Sequence, residues 1–172
     1  MAFADLVQDD AGSVLDAVSY VTVAEFRAHH LARGTDVSTY TDSQVEAALT
    51  KATDYMDGRF GFIGEKPVTD QRTQWPRVNA IDVYDRLRSG IPLEVKEAQH
   101  EYAFIALTSE LNPSPTRDAT GRVIQSKSVV VGPIEKSITY AGSASFSLPK
   151  YPKADSRLRP VLSAGGLEFE RA

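Results

Sequence analysis

Cysteine is absent from the 172-residue chain, which excludes disulfides and thiolate zinc sites and fits a reducing compartment. Stability must therefore come from packing or assembly. No apolar run approaches the roughly 18 residues that span a bilayer, so no membrane partner is expected. Residues 1–20 lack the basic start and apolar centre of a signal peptide, and the expectation is a protein made and kept in the cytoplasm. Lys and Arg are also missing from residues 1–20, which carry four acids, Asp5, Asp9, Asp10 and Asp16. Tryptophan occurs once, as Trp75.

What is present suffices for a core. Hydrophobic residues make up 42% and charged residues 24% of the chain, a balance unlike that of disordered or fibrous proteins. The length suits one domain with extensions. Net charge is −4 and unevenly spread: residues 21–111 hold ten basic and fourteen acidic side chains, whereas nine basic residues face five acids from residue 112 onward. The basic ones are Arg117, Arg122, Lys127, Lys136, Lys150, Lys153, Arg157, Arg159 and Arg171. Such a tail suits an acidic partner or an ordinary solvated surface. The solvated surface is the expected reading, because nucleic-acid domains carry denser clusters.

Four helices are predicted. Thr22-Val23-Ala24-Glu25 is a capping box and Gly34 a left-handed stop, which places the first helix at about 23–33. Thr41 and Gln44 repeat the cap, and Val45, Ala48, Leu49, Ala52, Tyr55 and Met56 then form one apolar stripe. Pro92 suits a first helical turn, and a third helix is predicted over about 92–111. Its segment 102–107 is apolar nearly all round, marking it as the central element, and Pro113 and Pro115 end it. A short fourth helix is predicted from Asp155 to Ser163.

Between the second and third helices lie about 33 residues without helical period, a connection long enough to suggest function. It contains Trp75-Pro76-Arg77. Proline biases the tryptophan toward an extended backbone, and the expected role is to lay the indole on the helical stripes rather than to stack on bases. Trp75, Tyr55, Leu49, Tyr102 and Ile105 are the candidate structural core. Arg77 is expected to cap a helix end or pair with an acid.

Residues 121–148 change character: Val123-Ile124, Val129-Val130-Val131, Ile134, Ile138, Tyr140, Phe146 and Leu148 sit among Ser, Thr and Gly, with Gly132-Pro133 as punctuation. This predicts an extended β-ribbon, which lies against either an outside partner or its own helices. The predicted fold is thus mainly α, a small bundle of three to four helices with an extended β-ribbon or arm near the C-terminus. The expected segments are an acidic N-terminal extension at 1–18, a helical body at 19–115, the arm at 116–150, and a short C-terminal helix and tail at 151–172.

A search for chemistry ends without a catalytic set. Glu97-Ala98-Gln99-His100 has the Glu-x-x-His spacing of half a di-iron bundle. A second copy is missing, and His29 and His30, being adjacent, point to different faces of their helix. The expected reading of Glu94, Glu97, His100 and Glu101 is a solvated polar face, with no metal and no cofactor. Gly142-Ser143-Ala144-Ser145-Phe146 lacks the second glycine of a nucleophile elbow, and no phosphate loop is present. No catalytic residue is assigned, and the expectation is a protein that is not an enzyme.

The order Ser19-Tyr20-Val21-Thr22, Ala47-Ala48-Leu49, Ala52-Thr53-Asp54-Tyr55-Met56-Asp57, Trp75-Pro76-Arg77, Ile91-Pro92 and Val95-Lys96-Glu97-Ala98 resembles a tailed-bacteriophage family. Val131-Gly132-Pro133-Ile134 and Leu158-Arg159-Pro160-Val161-Leu162 extend the likeness over most of residues 19–165. That family is often labelled DnaT-like single-stranded-DNA-binding protein and is similar to head–tail connector proteins. Phe60 and Phe62 are a departure, standing where a tryptophan is expected.

The resemblance implies a virion adaptor at the head–tail junction, made in the host bacterial cytoplasm. Its implied partners are the portal protein, neighbouring copies in a ring (a dodecamer), and a stopper or tail-completion protein. Genome DNA would pass through the channel without sequence-specific binding. Val129, Val130, Val131, Ile134, Ile138 and Tyr140 are then the candidate arm contacts, with Lys127 and Lys136 seeking an acidic portal surface. The rival reading is single-stranded-DNA binding, with the basic tail as a track and Trp75, Tyr140, Phe146 and Tyr151 as stacking surfaces.

Overall fold

The computed structural model describes residues 2–114, 124–130, 135–140 and 149–163. Among them, four α-helices and two small antiparallel sheets fall into two compact units, residues 1–111 with 150–172, and residues 112–149. The chain is mainly α, with a small β element. No described helix is long and apolar enough to cross a membrane.

Both expected capping boxes form. Ahead of α1 (Val23–Leu31), Thr22 Oγ1 accepts the Glu25 N–H at 3.1 Å while Glu25 Oε2 accepts the Thr22 N–H at 2.7 Å. Thr41 and Gln44 do the same for α2 (Asp42–Arg59) at 3.3 and 2.9 Å. These exchanges satisfy backbone donors that a helix start leaves free. α3 (Leu93–Ala106) stops five residues short of the predicted 111. Past Ala106 the chain tightens locally: the Ile105 carbonyl accepts the N–H groups of both Thr108 (3.0 Å) and Ser109 (2.9 Å) and also both of their hydroxyls, each at 3.2 Å, so one acceptor gathers the last turn. α4 (Pro152–Leu158) begins three residues before the predicted Asp155. Pro152 occupies its first turn, Asp155 Oδ2 accepts the Tyr151 N–H at 3.1 Å, and the chain then tightens into a 3-10 turn at Arg159–Val161 that contains Pro160.

α3 is the central element, packing against α1, α2 and α4. The α2 stripe of Val45, Ala48, Leu49, Ala52 and Met56 is buried, facing a core that includes Val95, Ala98, Tyr102 and Ala103 of α3. Alanines at Ala48, Ala52, Ala98 and Ala103 keep the facing side chains small, and each large apolar side chain withdrawn from water contributes about 1.5–3 kcal/mol. Trp75, Leu49 and Tyr102 are fully buried, whereas Tyr55 and Ile105 are half-buried and pack against the core from outside. Phe60 and Phe62 are buried too. The interior also holds a polar hub. Gln99 Nε2 donates toward Ser19 Oγ (2.8 Å), Thr53 Oγ1 (2.7 Å) and the Leu49 carbonyl (3.1 Å), while its Oε1 accepts the Tyr20 N–H at 3.0 Å.

The polar-face reading of α3 is corrected by the packing. Gln99, His100 and Glu101 are buried, and the three histidines gather rather than diverge: the His29 and His100 rings stack at 4.2 Å, and those of His29 and His30 meet edge-on at 5.1 Å. His30 Nε2 donates to the His100 carbonyl at 3.2 Å. Glu101 pairs with Lys153 (2.8 Å), Glu97 with Arg157 (2.9 Å) and Arg33 (3.4 Å), and Glu94 with Arg88 (2.8 Å). Among the described residues no group of three or more His, Cys, Asp or Glu side chains is placed to hold a metal ion.

Trp75 is held at its backbone. The Tyr20 hydroxyl donates to the Asp57 carboxylate at 2.7 Å and accepts the N–H groups of Gln74 (3.0 Å) and Trp75 (3.3 Å). The indole meets Phe62 edge-on at 6.1 Å, and the Trp75–Pro76 peptide bond is cis. Burial pushes the Asp57 carboxyl up to about 6, and burial together with the Asp57 charge pushes the Tyr20 hydroxyl well above its usual value. Arg77 neither caps a helix nor meets an acid. Its Nε donates to the Ile63 carbonyl (2.7 Å), Nη2 to that of Gly64 (2.6 Å) and Nη1 to Gln74 Oε1 (2.9 Å), because the chain after α2 loops past it with carbonyls turned inward. Gly64 permits this passage: it sits at φ 73°, and a Cβ there would lie 2.5 Å from the Val78 carbonyl oxygen.

Residues 2–18, expected as an extension, belong to the same unit as the body. Gln8 is buried and donates through Nε2 to Thr73 Oγ1 at 3.0 Å, and Asp10 Oδ1 accepts the Ile91 N–H at 2.9 Å. In the second unit, β3 (Ile124–Val130) and β4 (Glu135–Tyr140) pair antiparallel, with Lys127 opposite Ile138, Val129 opposite Lys136 and Val130 opposite Glu135. Among the described residues no third strand joins them.

Two outcomes follow from these contacts. Replacing Tyr20 by Phe leaves the Trp75 N–H without its partner and strips Asp57 of a donor, so urea unfolding is expected to report a loss of about 1–3 kcal/mol. Burial, then the neighbouring imidazoles and Arg33, hold His100 down at about 3, and burial lowers His29 and His30 as well. The unfolded chain takes up these protons near 6.5 and the folded chain does not, so this stability is complete above pH 6.5 and fades as pH falls toward 3. His100→Leu is expected to flatten the fall between pH 6.5 and 4.5 by up to about 1.4 kcal/mol per pH unit, measured by denaturation at each pH.

Candidate functional site

The connection between α2 and α3 carries most of the large apolar surface that the described residues expose. Val68, Val78, Ile81, Val83, Tyr84, Leu87 and Leu93 all lie on it or just beyond its end, against Leu15 and Leu31 elsewhere. An apolar patch of this kind on a folded unit marks a place of attachment. Its frame is a hairpin of two short antiparallel strands, β1 (Ala80–Ile81) and β2 (Leu87–Arg88), in which Ile81 faces Leu87 across the pair. Strand alternation sorts the side chains: Ala80 is buried, Ile81 is exposed and Asp82 is buried again.

Asp82 organises the turn between the strands. Its Oδ1 accepts the N–H groups of Tyr84 (2.8 Å) and Arg86 (3.0 Å), and its Oδ2 accepts Arg86 Nε (3.0 Å) and Arg88 Nε (2.9 Å). The backbone closes with Asp82 N–H to the Arg86 carbonyl and Asp85 N–H to the Asp82 carbonyl, both at 3.0 Å. Asp85 takes a left-handed φ of 57°, a conformation that Asp tolerates better than most residues. Burial alone would raise the Asp82 carboxyl, but the N–H groups of Arg86 and Tyr84 and both guanidinium groups hold it down at about 2. The turn thereby presents Val83 and Tyr84 outward, 69% and 67% exposed, with the Arg86 guanidinium 4.9 Å from the centre of the Tyr84 ring. Arg88 ties the hairpin to α3 through Glu94 at 2.8 Å.

Beside the hairpin runs a groove of about 380 Å³, lined by Asp10, Pro76, Arg77, Val78, Leu87 and Arg88 among others. Arg77 donates only to neutral oxygens, whereas Arg88 is shared between Asp82 and Glu94. Asp10 is already engaged by the Ile91 N–H. The groove is thus nearly balanced in charge, unlike residues 1–111 as a whole, which carry ten basic and eighteen acidic side chains.

Of the residues singled out from sequence, Lys127, Val129, Val130, Lys136, Ile138 and Tyr140 lie on β3 and β4, while Val131, Ile134 and Phe146 lie outside the described residues. Trp75 is fully buried and offers no stacking face, and Tyr151 is half-buried with its hydroxyl donating to the Leu111 carbonyl at 3.1 Å. Within residues 2–114 and 149–163 Tyr84 is the exposed aromatic, and sequence reasoning missed it. The available signal was the short alternation Ala80-Ile81-Asp82-Val83, followed by Leu87 after a turn that holds Asp82 and Asp85.

The family comparison covers nearly the whole chain: the model described as "Putative DnaT-like ssDNA binding protein" matches residues 4–172. The chain belongs to that family. No curated protein and no solved structure matches it.

The Asp82 arrangement makes a local prediction. Asp82→Ala is expected to speed amide exchange at Tyr84 and Arg86 at least about tenfold while the α2 and α3 amides keep their rates, because the carboxylate is the acceptor for both N–H groups. In the unmodified chain a depressed carboxyl keeps its contribution above pH 3.8 and loses it as pH falls toward 2, so the same amides are expected to lose protection in that window.

Proposed function

We propose that this member of the DnaT-like family binds single-stranded DNA as a non-catalytic attachment protein. The observation that carries the reading is the family match over residues 4–172. Electrostatics then dictate the manner of binding. Residues 1–111 carry an excess of eight acids, ten basic against eighteen acidic side chains, so a long phosphate track along them is unfavourable. Affinity on that part has to come mainly from contacts with bases, and the nine basic residues from 112 onward, offset by five acids and spread over about sixty residues, add few phosphate contacts.

Each phosphate neutralised on a single strand contributes about −0.7 to the slope of log K against log salt. Fluorescence anisotropy on labelled oligonucleotides of about 16 nucleotides, repeated across salt concentrations, is expected to show saturable binding with a slope no steeper than about −2. Duplex of the same sequence is expected to bind more weakly, its bases being stacked away. Absence of saturable binding at low salt would remove the reading.

One observation favours a second reading, that of a virion adaptor in a head–tail connector. β3 and β4 form a two-stranded ribbon in a unit of their own, and no third strand covers their outer edges among the described residues. A strand edge of this kind pairs readily with another chain. Under this reading the partners are the portal protein, further copies of this chain in a ring and a stopper or tail-completion protein. Co-sedimentation with the cognate portal ring separates the readings: an adaptor binds saturably and loses binding when residues 121–148 are deleted, whereas a DNA binder ignores the ring.

A further inference from the structure

We propose that the hairpin tip is a nucleobase platform: an unpaired base stacks on the exposed ring of Tyr84, and Arg86 meets the adjoining phosphate. The assignment rests on the DNA-binding reading and adds to it a place and a mode. A single-strand binder without a long basic track requires an exposed aromatic face, since base–aromatic stacking is tolerant of sequence and independent of charge. Within residues 2–114 and 149–163 Tyr84 is the aromatic side chain that meets this requirement: Trp75 and Phe62 are buried, and Tyr40, Tyr55 and Tyr151 are half-buried.

Its surroundings fit a planar ligand. The tip is set before any ligand arrives, because the buried Asp82 carboxylate fixes the Tyr84 and Arg86 N–H groups at 2.8 and 3.0 Å. The Arg86 guanidinium, 4.9 Å from the centre of the Tyr84 ring, is itself planar and adds to a stacking surface. Arg86 donates from Nε to Asp82 Oδ2 at 3.0 Å, with Nη2 at the same distance from that oxygen in the ion pair, and its side chain remains 60% exposed with Nη1 directed to no described acceptor. That nitrogen is a donor in reserve for a phosphate oxygen. Val83 and Leu87, 69% and 71% exposed, give the sugar and the base edge an apolar rim. The nearly balanced groove behind the tip, with Arg77 and Arg88 in its lining, lets the strand leave without repulsion.

The test uses the full chain and fluorescein-labelled oligo(dT) of about 16 nucleotides. Tyr84→Ala is expected to weaken binding roughly five- to 150-fold, the range for loss of one stacked base, with the salt slope unchanged. Tyr84→Phe keeps the ring and is expected to bind like the unmodified chain. Arg86→Ala is expected to make the slope shallower by about 0.7. Circular dichroism melts of the two Tyr84 variants are expected to match the unmodified chain, because the Tyr84 side chain lies outside the core. Photocrosslinking of 5-iodouracil DNA, expected at Tyr84, gives a readout that does not depend on folding. If the unmodified chain binds DNA and Tyr84→Ala binds equally well, the platform is wrong while the reading stands. If the unmodified chain binds no DNA, both fall. If Tyr84→Ala spares DNA binding but abolishes capture by a portal ring, the tip is a protein-docking surface and the proposal is overturned.

Discussion

The Tyr20–Asp57 hydrogen bond is the constraint on which the first unit depends. It joins the segment before α1 to the last turns of α2, and the same hydroxyl accepts the N–H groups of Gln74 and Trp75. One side chain thereby anchors a long connection at its midpoint. Without that anchor, burying the indole would require the entropy of a loop of some thirty residues to be overcome by apolar contact alone. With it, the chain enters and leaves the core at defined points, and Arg77 can gather the Ile63 and Gly64 carbonyls on the far side. The hairpin that follows starts from a fixed base, three residues after Arg77. Its exposed tip is consequently a property of the core.

The buried polar residues of α3 serve a related end. Gln99 links three parts of the chain, residues 19–20, α2 and α3, through four hydrogen bonds that an apolar side chain of equal volume would not specify. The next two residues turn to other helices: His100 stacks on His29, and Glu101 reaches Lys153 of α4. Each of these contacts fixes a helix to α3 by direction as well as by area. α1 has particular need of this, since Phe26 and His30 are its buried residues.

What the sequence made legible were features written over neighbouring residues. Thr22 with Glu25 and Thr41 with Gln44 announce helix starts because the cap is closed within one turn, and the α2 stripe repeats often enough to be read. The end of α3 falls earlier than Pro113 and Pro115 suggest, because those prolines mark only the furthest point a helix can reach, while the chain already tightens at the Ile105 carbonyl, which gathers the N–H and hydroxyl groups of Thr108 and Ser109. The start of α4 was misread because Pro152 and Asp155 act as a first turn rather than as a boundary. The polar face was misread for a deeper reason: Glu97, His100 and Glu101 look solvated on an isolated helix, and only the arrival of α1 and α4 supplies their partners. The hairpin escaped notice because its strands are two residues long and its turn is organised by a buried carboxylate, which composition does not distinguish from a surface acid.

The two places proposed to take hold of another molecule differ in kind. The ribbon of β3 and β4 offers backbone edges, which recognise an extended peptide through a ladder of N–H and carbonyl groups and are largely indifferent to side-chain identity. The hairpin tip offers side chains fixed in position, an aromatic ring, a guanidinium and an apolar rim, with little net charge. Such a tip discriminates by shape and stacking, and the acidic excess of residues 1–111 penalises any polyanion that approaches without using it. Under the proposed DNA-binding reading, an acidic surface with a neutral aromatic projection would favour unpaired bases over duplex, whose bases are hidden and whose phosphates are repelled. The same acidity leaves the ribbon's preference untouched, because a peptide added along an edge is recognised through neutral backbone groups.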